Sequence, residues 1–221
     1  KENKKETIVS KAEYLDYVYS EQRRPTSDYP FKLAKFLKSE LKLSNKNRLI
    51  DLGCGRGDML RAFDSVGFEV TGVDISPKVE KHCDPLKAYS LDILNSPLPF
   101  DENSFDIVFS KSVIEHLENP LPYLEKALDL LRPGGKLIIL TPSWLHHGWG
   151  PFYLDHTHVT PFTGPSLIDT LKIAGFEDIK VRHFRQLPFL WNFKWLTPFV
   201  FMFSKLPLPY PPMYLTKFKW P

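Results

Sequence analysis

Three glycines at alternating positions follow a short apolar run, in the segment from Leu49 to Gly57 (LIDLGCGRG). Glycines at the junction between a strand and a helix allow a tight turn and let a ligand approach the backbone closely. The dinucleotide fingerprint G-x-G-x-x-G would place its third glycine at position 58, where the chain has Asp58. Because a carboxylate at a helix start repels pyrophosphate, the turn favours a ligand without phosphate there, and NAD is disfavoured.

Two further carboxylates stand where later strands end. Asp74 closes the run VTGVD, 21 residues after Gly53, where an acidic side chain can accept hydrogen bonds from both hydroxyls of a ribose. Asp92 and Ile93 end the third predicted strand and suit an adenine edge. Together these positions predict a nucleoside pocket without a phosphate clamp, which S-adenosylmethionine fits.

A histidine-containing turn is the best candidate for acid–base chemistry. The segment 153–162 (YLDHTHVTPF) follows the fifth predicted strand and precedes a helix, so we expect it to lie over the cofactor. His156 or His158 has the right pKa range for a general base, and Asp155 could orient one of them. Alternatively, one of these histidines only braces the loop. His116, just after the fourth strand, is a second candidate.

Strands and helices alternate from residue 48 onward. The sequence predicts an α/β fold, a Rossmann-like doubly wound and mostly parallel sheet of six or seven strands with helices on both faces. The predicted strands are 48–52, 68–75, 87–93, 105–110, 136–141 and 176–184, with 213–220 as a seventh. The predicted helices are 29–43, 58–66, 120–131 and 164–174, after a Tyr-rich helical piece near 11–22.

Composition excludes several classes of protein. Two cysteines cannot form a disulfide framework, and the chain has neither a signal peptide nor the ~18 consecutive apolar residues of a membrane-spanning helix, so we expect a cytoplasmic protein. Residues 49–187 carry 13 basic and 19 acidic side chains. An acidic centre argues against nucleic acid as a partner.

We expect one domain with two extensions: an N-terminal helical cap (1–47), a cofactor-binding core (48–187) and an aromatic, Pro-rich segment (188–221). The last segment holds 11 aromatic residues, seven prolines, four lysines and no acid. It suits a lid over the acceptor or a peripheral membrane contact. Since the chain begins without Met, we also expect a piece of a longer protein, fused to other glycan-assembly domains.

In this order, the motifs resemble those of the class I S-adenosylmethionine-dependent methyltransferases. The resemblance covers residues 45–185 and is strongest to the type 11 branch, which includes ubiquinone-pathway and sugar O-methyltransferases. It implies S-adenosyl-L-methionine as cofactor and S-adenosyl-L-homocysteine as product. The cofactor-binding residues that it implies are Asp51, Gly53, Gly55, Gly57, Asp74, Ile75, Asp92, Ile93, Ser110 and Arg24, with Arg23 as the alternative to Arg24.

The resemblance specifies the acceptor poorly. We expect O-methylation of a sugar hydroxyl, for example on a deoxyhexose such as rhamnose, in glycan biosynthesis. The alternatives are a quinone or lipid-precursor O- or C-methyltransferase, and a cofactor-binding module without catalysis. Quinone-pathway relatives carry a metal-binding Glu-x-x-Glu-His pattern, but Ser112 replaces the first Glu here. A divalent metal is therefore not expected, and Glu115 and His116 would hold one if it were present.

Overall fold

The structure is a computed structural model that describes residues 25–144 and 151–204. The chain divides into two compact units, residues 1–184 and 185–221. The predicted Tyr-rich helix, Arg23, Arg24 and the predicted strand at 213–220 lie outside the described residues.

The first unit contains a parallel sheet, as predicted. Its five described strands run in the order β3-β2-β1-β4-β5, and all four pairings are parallel. Five strands are fewer than the six or seven that we predicted. The strands are β1 (Arg48–Leu52), β2 (Glu69–Asp74), β3 (Lys87–Ser90), β4 (Phe105–Lys111) and β5 (Leu131–Leu140).

Helices alternate with these strands. They are α1 (Tyr29–Glu40), α2 (Asp58–Ser65), α3 (Val79–Cys83), α4 (Leu121–Leu130) and α5 (Gly164–Ile173) in the first unit. Short 3-10 turns cover Ile114–His116 and Pro151–Leu154. A capping box between Thr163 and Ser166 starts α5.

Side chains of the central strands alternate between the two faces of the sheet and pack into an apolar layer on each face. Ile50 belongs to the core cluster that includes Tyr123 of α4 and Leu167 of α5. On the other face, Phe109 of β4 makes an edge-to-face contact with Phe63 of α2 at 4.8 Å between ring centroids. Burial of apolar side chains on both faces explains why apolar residues stand at successive positions in β1 and β4, interrupted by Asp51 and Asp106.

The predicted strand at 176–184 is wrong. The described chain there is irregular, although Ile179 and Val181 pack against the core as their alternation indicated. Asp178 interrupts the extended run with a left-handed backbone (φ 48°). The alternation of apolar residues identifies the side chains that face the core. Hydrogen-bonded pairing with a neighbouring strand also requires an unbroken extended backbone.

The second unit contains the short helices α6 (Pro188–Asn192) and α7 (Thr197–Ser204), joined by a 3-10 turn at Lys194–Leu196. Several of its large apolar side chains are exposed: Leu187, Phe189, Phe193, Trp195, Phe199 and Met202. Within the described ranges, no helix is long and apolar enough to cross a membrane.

Candidate active site

The glycine turn leaves β1 with its backbone anchored to β2. The amides of Gly53 and Cys54 both donate to the Val73 carbonyl, at 2.7 and 3.1 Å. Gly53, Gly55 and Gly57 all have left-handed backbones, with φ of 86°, 54° and 76°. Residues that carry a side chain rarely adopt this backbone conformation, so the turn requires glycine at the three alternating positions.

Two buried carboxylates lie next to this turn, at the ends of β1 and β2. Asp74 accepts hydrogen bonds from the amides of Gly55 and Ser76, each at 2.9 Å. Asp51 is 2% exposed. Burial, reinforced by the neighbouring Asp74 charge, raises the pKa of Asp51 to about 8. Burial also raises the pKa of Asp74, despite its two backbone hydrogen bonds.

This acidic turn fits S-adenosylmethionine. A sulfonium and an ammonium group are favoured beside Asp51 and Asp74, whereas a phosphate is repelled. Asp74 lies at the β2 end, where a carboxylate can accept from ribose hydroxyls. The residues that would hold the cofactor are therefore the three turn glycines, Asp51 and Asp74.

Asp92, which we predicted to hold the adenine edge, lies two residues after the end of β3. One carboxylate oxygen of Asp92 accepts from the amides of Leu94 and Asn95, at 2.9 and 3.3 Å, and the other accepts from the Asn95 side chain at 2.9 Å. The hydrogen bond from Asn95 is the main cause that lowers the pKa of Asp92. Asp92 therefore shapes the turn after β3. Ile93 is buried and Ile75 is 43% exposed.

Ser110, at the end of β4, is held by Tyr123, a residue that the sequence analysis did not single out. The hydroxyl of Tyr123 lies 2.7 Å from Ser110 Oγ and 3.1 Å from the Leu52 carbonyl oxygen. Tyr123 is 1% exposed, and its hydroxyl group links α4 to the ends of β1 and β4.

The histidine turn folds back onto His116. The Thr157 hydroxyl donates to Asp155 Oδ1 at 2.6 Å and lies 2.8 Å from His116 Nδ1. Because the Thr157 proton is directed at the carboxylate, its oxygen accepts from a protonated Nδ1, so the neutral His116 ring is unprotonated at Nε2. Burial is the main cause that lowers the pKa of His116.

His158 has the same tautomer for a different reason. Its Nδ1 lies 2.6 Å from the Phe152 carbonyl oxygen, which can only accept, so Nδ1 carries the proton. The rings of His116 and His158 are 4.7 Å apart. Glu115 completes the group: ligand-type atoms of these three residues all lie within 4.8 Å of one another. Below, these three residues are called the Glu–His–His group.

Glu115 is the buried member of the Glu–His–His group. It is 0% exposed; Oε2 accepts from Thr141 Oγ1 at 2.9 Å, and Oε1 has no hydrogen-bond partner. Burial raises the pKa of Glu115. Its backbone carbonyl accepts from the amides of Val159 and Thr160, at 2.9 and 3.0 Å, which fastens the histidine turn to the 3-10 turn that follows β4.

The structure thus separates the two histidines of the turn. His158 faces His116, whereas His156 is exposed and lies outside the Glu–His–His group. Asp155 acts on His116 through Thr157, a residue that the sequence analysis missed because the contact joins positions 41 apart. The catalytic roles themselves remain predictions.

Comparison with known proteins decides the family. A family model described as a methyltransferase domain matches residues 19–181. The chain belongs to this methyltransferase family. The predicted class I fold and the cofactor S-adenosylmethionine are confirmed.

Relatives of this methyltransferase act in quinone pathways according to their names. It is 28% identical over 172 residues to the ubiquinone biosynthesis O-methyltransferase of Cereibacter sphaeroides (strain ATCC 17029 / ATH 2.4.9), covering 66% of each chain. It is 30% identical over 109 residues to the demethylmenaquinone methyltransferase of Tropheryma whipplei (strain Twist), covering 48% of this chain and 46% of that protein. The methyltransferase therefore spans about half to two thirds of the length of these relatives.

The fold agrees with a solved structure. A SAM dependent methyltransferase from Archaeoglobus fulgidus superposes with a TM-score of 0.63 at 24% identity, covering 76% of this chain and 77% of that chain. At this identity the likeness supports the fold alone.

Proposed function

We propose that this methyltransferase transfers a methyl group to a hydroxyl borne on a ring, with His158 as the general base. The observation that carries the proposal is the 2.6 Å distance between His158 Nδ1 and the Phe152 carbonyl oxygen, which assigns the proton to Nδ1 and leaves Nε2 as a proton acceptor. When bound, S-adenosylmethionine supplies an electrophilic methyl group on sulfur.

In this proposal His158 accepts the hydroxyl proton, and the residues around it support that role. Asp155, through Thr157, fixes the His116 ring. Glu115 lies within the same group, so a positive charge gained by His158 has a carboxylate beside it. Asp155, Thr157 and Glu115 are positioning residues in this scheme.

An aromatic cluster beside the histidine turn supports a ring-shaped acceptor. Phe152 contacts Trp144, Tyr153 and His158, with centroid distances of 5.7, 5.1 and 4.8 Å. Tyr153 is 59% exposed and offers its ring to a ligand. Aromatic faces next to polar side chains suit a sugar ring, and we propose a sugar hydroxyl as acceptor.

A phenolic quinone precursor is the second candidate. The same aromatic faces could stack on its ring, and the names of the relatives from Cereibacter sphaeroides and Tropheryma whipplei favour a quinone-type acceptor. Both candidates need a base for a hydroxyl, so the Glu–His–His group serves either.

The Glu–His–His group also has the donors of a divalent-metal site. Carboxylate and imidazole are suitable ligands, and Glu115 Oε1 is a buried acceptor that lacks a hydrogen-bond partner. Metal ligation would occupy imidazole nitrogens and would exclude a base role for the ligating histidine. The base and metal roles are therefore alternatives that one experiment separates.

The experiment is methyl transfer from labelled S-adenosylmethionine to glycosides, including rhamnosides, and to catechol-type quinone precursors, with and without a chelator. We expect transfer to one class, unaffected by the chelator. His158→Ala should lower turnover by about 10²- to 10⁴-fold, while His183→Ala, on the exposed surface, serves as the control. Loss of turnover in His156→Ala instead of His158→Ala would refute the assignment of the base. Loss with the chelator would support the metal.

We also propose that the second unit contacts an anionic membrane surface peripherally. Trp195 and Phe199 are 67% and 53% exposed, and residues 188–221 carry four lysines and no acid. Exposed aromatic rings with nearby positive charge suit a lipid headgroup region. We expect co-sedimentation with vesicles containing phosphatidylserine but not with purely zwitterionic ones, and weaker binding of the double variant Trp195→Ala, Phe199→Ala.

A further inference from the structure

Lys126 of α4 binds the backbone of residues 92–96, which follow β3 and are called the β3 turn below. Its Nζ atom lies 2.8 and 2.9 Å from the carbonyl oxygens of Ile93 and Leu94, and 3.2 Å from that of Ser96. An ammonium group has three donors and no acceptor, so these contacts use all of its hydrogens. The contacts join positions 30 to 33 apart, so they form only when α4 packs beside the end of β3.

Asp92 binds the amide groups of the same turn. Its carboxylate accepts from the amides of Leu94 and Asn95, and its backbone carbonyl accepts from the Ser96 amide at 2.8 Å. The β3 turn therefore has its amides bound by a residue within it and three of its carbonyls bound from another element. Because ordering a short turn costs conformational entropy, its geometry depends on the charged donor of Lys126 as a second anchor.

The β3 turn lies beside the carboxylate that suits the ribose. Asp74, the last residue of β2, pairs in register with Ser90, the last residue of β3. The Asp74 carbonyl also accepts from the Leu91 amide at 2.9 Å, just before the turn begins. Because the base of a nucleoside is bonded directly to its ribose, a ribose held by Asp74 brings the adenine within reach of the β3 turn.

The same helix also contacts the end of β4. Tyr123, one turn before Lys126, has its hydroxyl 2.7 Å from Ser110 Oγ. Residues three apart lie on one face of a helix, so one face of α4 reaches both the end of β4 and the β3 turn. Ile93 of the turn belongs to the same buried core cluster as Tyr123 and Ala127. That apolar packing does not involve the ammonium, so loss of the ammonium should move the backbone of the turn without unfolding the core.

We propose that Lys126 is a positioning residue for the adenine of S-adenosylmethionine, because it holds the backbone of the β3 turn in the arrangement that recognises the base. Both carboxylate oxygens of Asp92 already accept hydrogen bonds within the turn, so selection of the base depends on where the backbone of the turn lies. This inference rests on S-adenosylmethionine as cofactor and on the predicted place of its adenine at the end of β3.

The test compares Lys126→Met, which keeps an unbranched side chain but removes the ammonium, with the wild-type full chain. Calorimetry measures binding of S-adenosylhomocysteine and of S-inosylhomocysteine, in which a carbonyl group replaces the amino group of the base. Lys126→Met should bind S-adenosylhomocysteine about tenfold more weakly and S-inosylhomocysteine almost unchanged, so that the preference for adenine falls by about tenfold. Lys126→Arg keeps the charge, but its planar guanidinium fits three converging carbonyls less well, and we expect a loss of about threefold. Hydrogen exchange of the β3 turn should be faster in Lys126→Met, and that of the glycine turn unchanged.

Two variants serve as controls. Lys172→Met removes an exposed lysine from the last turn of α5 and should leave binding of both ligands unchanged. Tyr123→Phe alters the same helix without touching Lys126 and should keep the preference for adenine. If Lys126→Met does not fold, the smaller loss expected for Lys126→Arg decides. Equal weakening of both ligands, or unchanged exchange of the β3 turn, overturns the positioning role alone. A wild-type protein that binds both ligands equally overturns the place of the adenine, and one that does not bind S-adenosylhomocysteine overturns the cofactor assignment too.

Discussion

Substituting Gly53 by Ala tests the glycine turn directly, because this position combines a backbone and a steric constraint. Gly53 has φ of 86°, and an added Cβ would lie 2.3 Å from Val113 Cγ2. A side chain in the left-handed region costs about 1–2 kcal/mol. One methyl group of Val113 causes this clash, because its Cβ and other methyl lie at ordinary contact distances, 3.6 and 3.7 Å, from the same point. Overpacking adds about 1–3 kcal/mol.

Gly134 provides a matched control. Its backbone is also left-handed (φ 77°), but nothing lies within 4 Å of an added Cβ. Gly134→Ala should therefore lower the free energy of unfolding by only the backbone part, about 1–2 kcal/mol, and Gly53→Ala by about 2–5 kcal/mol. Adding Val113→Ala to Gly53→Ala should remove the steric part.

Urea denaturation of the two single variants, Val113→Ala and the double variant gives the comparison as a double-mutant cycle. Calorimetric titration with S-adenosylhomocysteine shows whether the turn still binds. Equal destabilisation by Gly53→Ala and Gly134→Ala, or additive effects of Gly53→Ala and Val113→Ala, would show that the close contact with Val113 does not constrain the turn.

Two further perturbations probe the ends of β1 and β4. Because the folded pKa of Asp51 is about 8 and its ordinary value 3.8, its contribution to stability is complete below pH 4 and is lost as the pH rises toward 8, with a slope of up to about 1.4 kcal/mol per pH unit. Denaturation at several pH values should show a weaker dependence in Asp51→Asn; identical profiles would contradict the raised pKa. Tyr123→Phe leaves Ser110 Oγ and the Leu52 carbonyl without this partner, and should cost about 1–3 kcal/mol by denaturation while the cofactor still binds. A loss below 0.5 kcal/mol, on the scale of ordinary surface changes, would show that the hydroxyl does not join α4 to the sheet.

The sequence predicted the sheet well where local signals were strong. β1 is a short, mainly apolar run that ends in the glycine turn, β4 is one that follows the turn residues 101–103, and both lie where the pattern indicated. The prediction at 176–184 was wrong because its alternation reflects packing of Ile179 and Val181 without pairing to a neighbouring strand. Strand pairing depends on the backbone of another segment, which side-chain periodicity does not report.

The site divides in the same way. The glycine turn was predictable because its glycines, Asp51 and Asp74 stand at the ends of two strands and act through the backbone next to them. Which of His156 and His158 faces His116 was not predictable, since the two are two positions apart and equally suited by type. The Asp155 carbonyl and carboxylate, which accept from the amides of His158 and Thr157 at 3.2 and 3.1 Å, set the turn that directs them differently.

These two halves also constrain substrate choice differently. The cofactor half consists of one turn after β1 and one carboxylate at the end of β2, and a backbone hydrogen bond joins the two. The acceptor half joins Glu115, Thr141 and the turn around His158 from three separate segments. We therefore expect changes in this turn to alter the acceptor while the cofactor half stays intact. Shared cofactor motifs thus identify the family, whereas the proposed acceptor depends on the turn around His158.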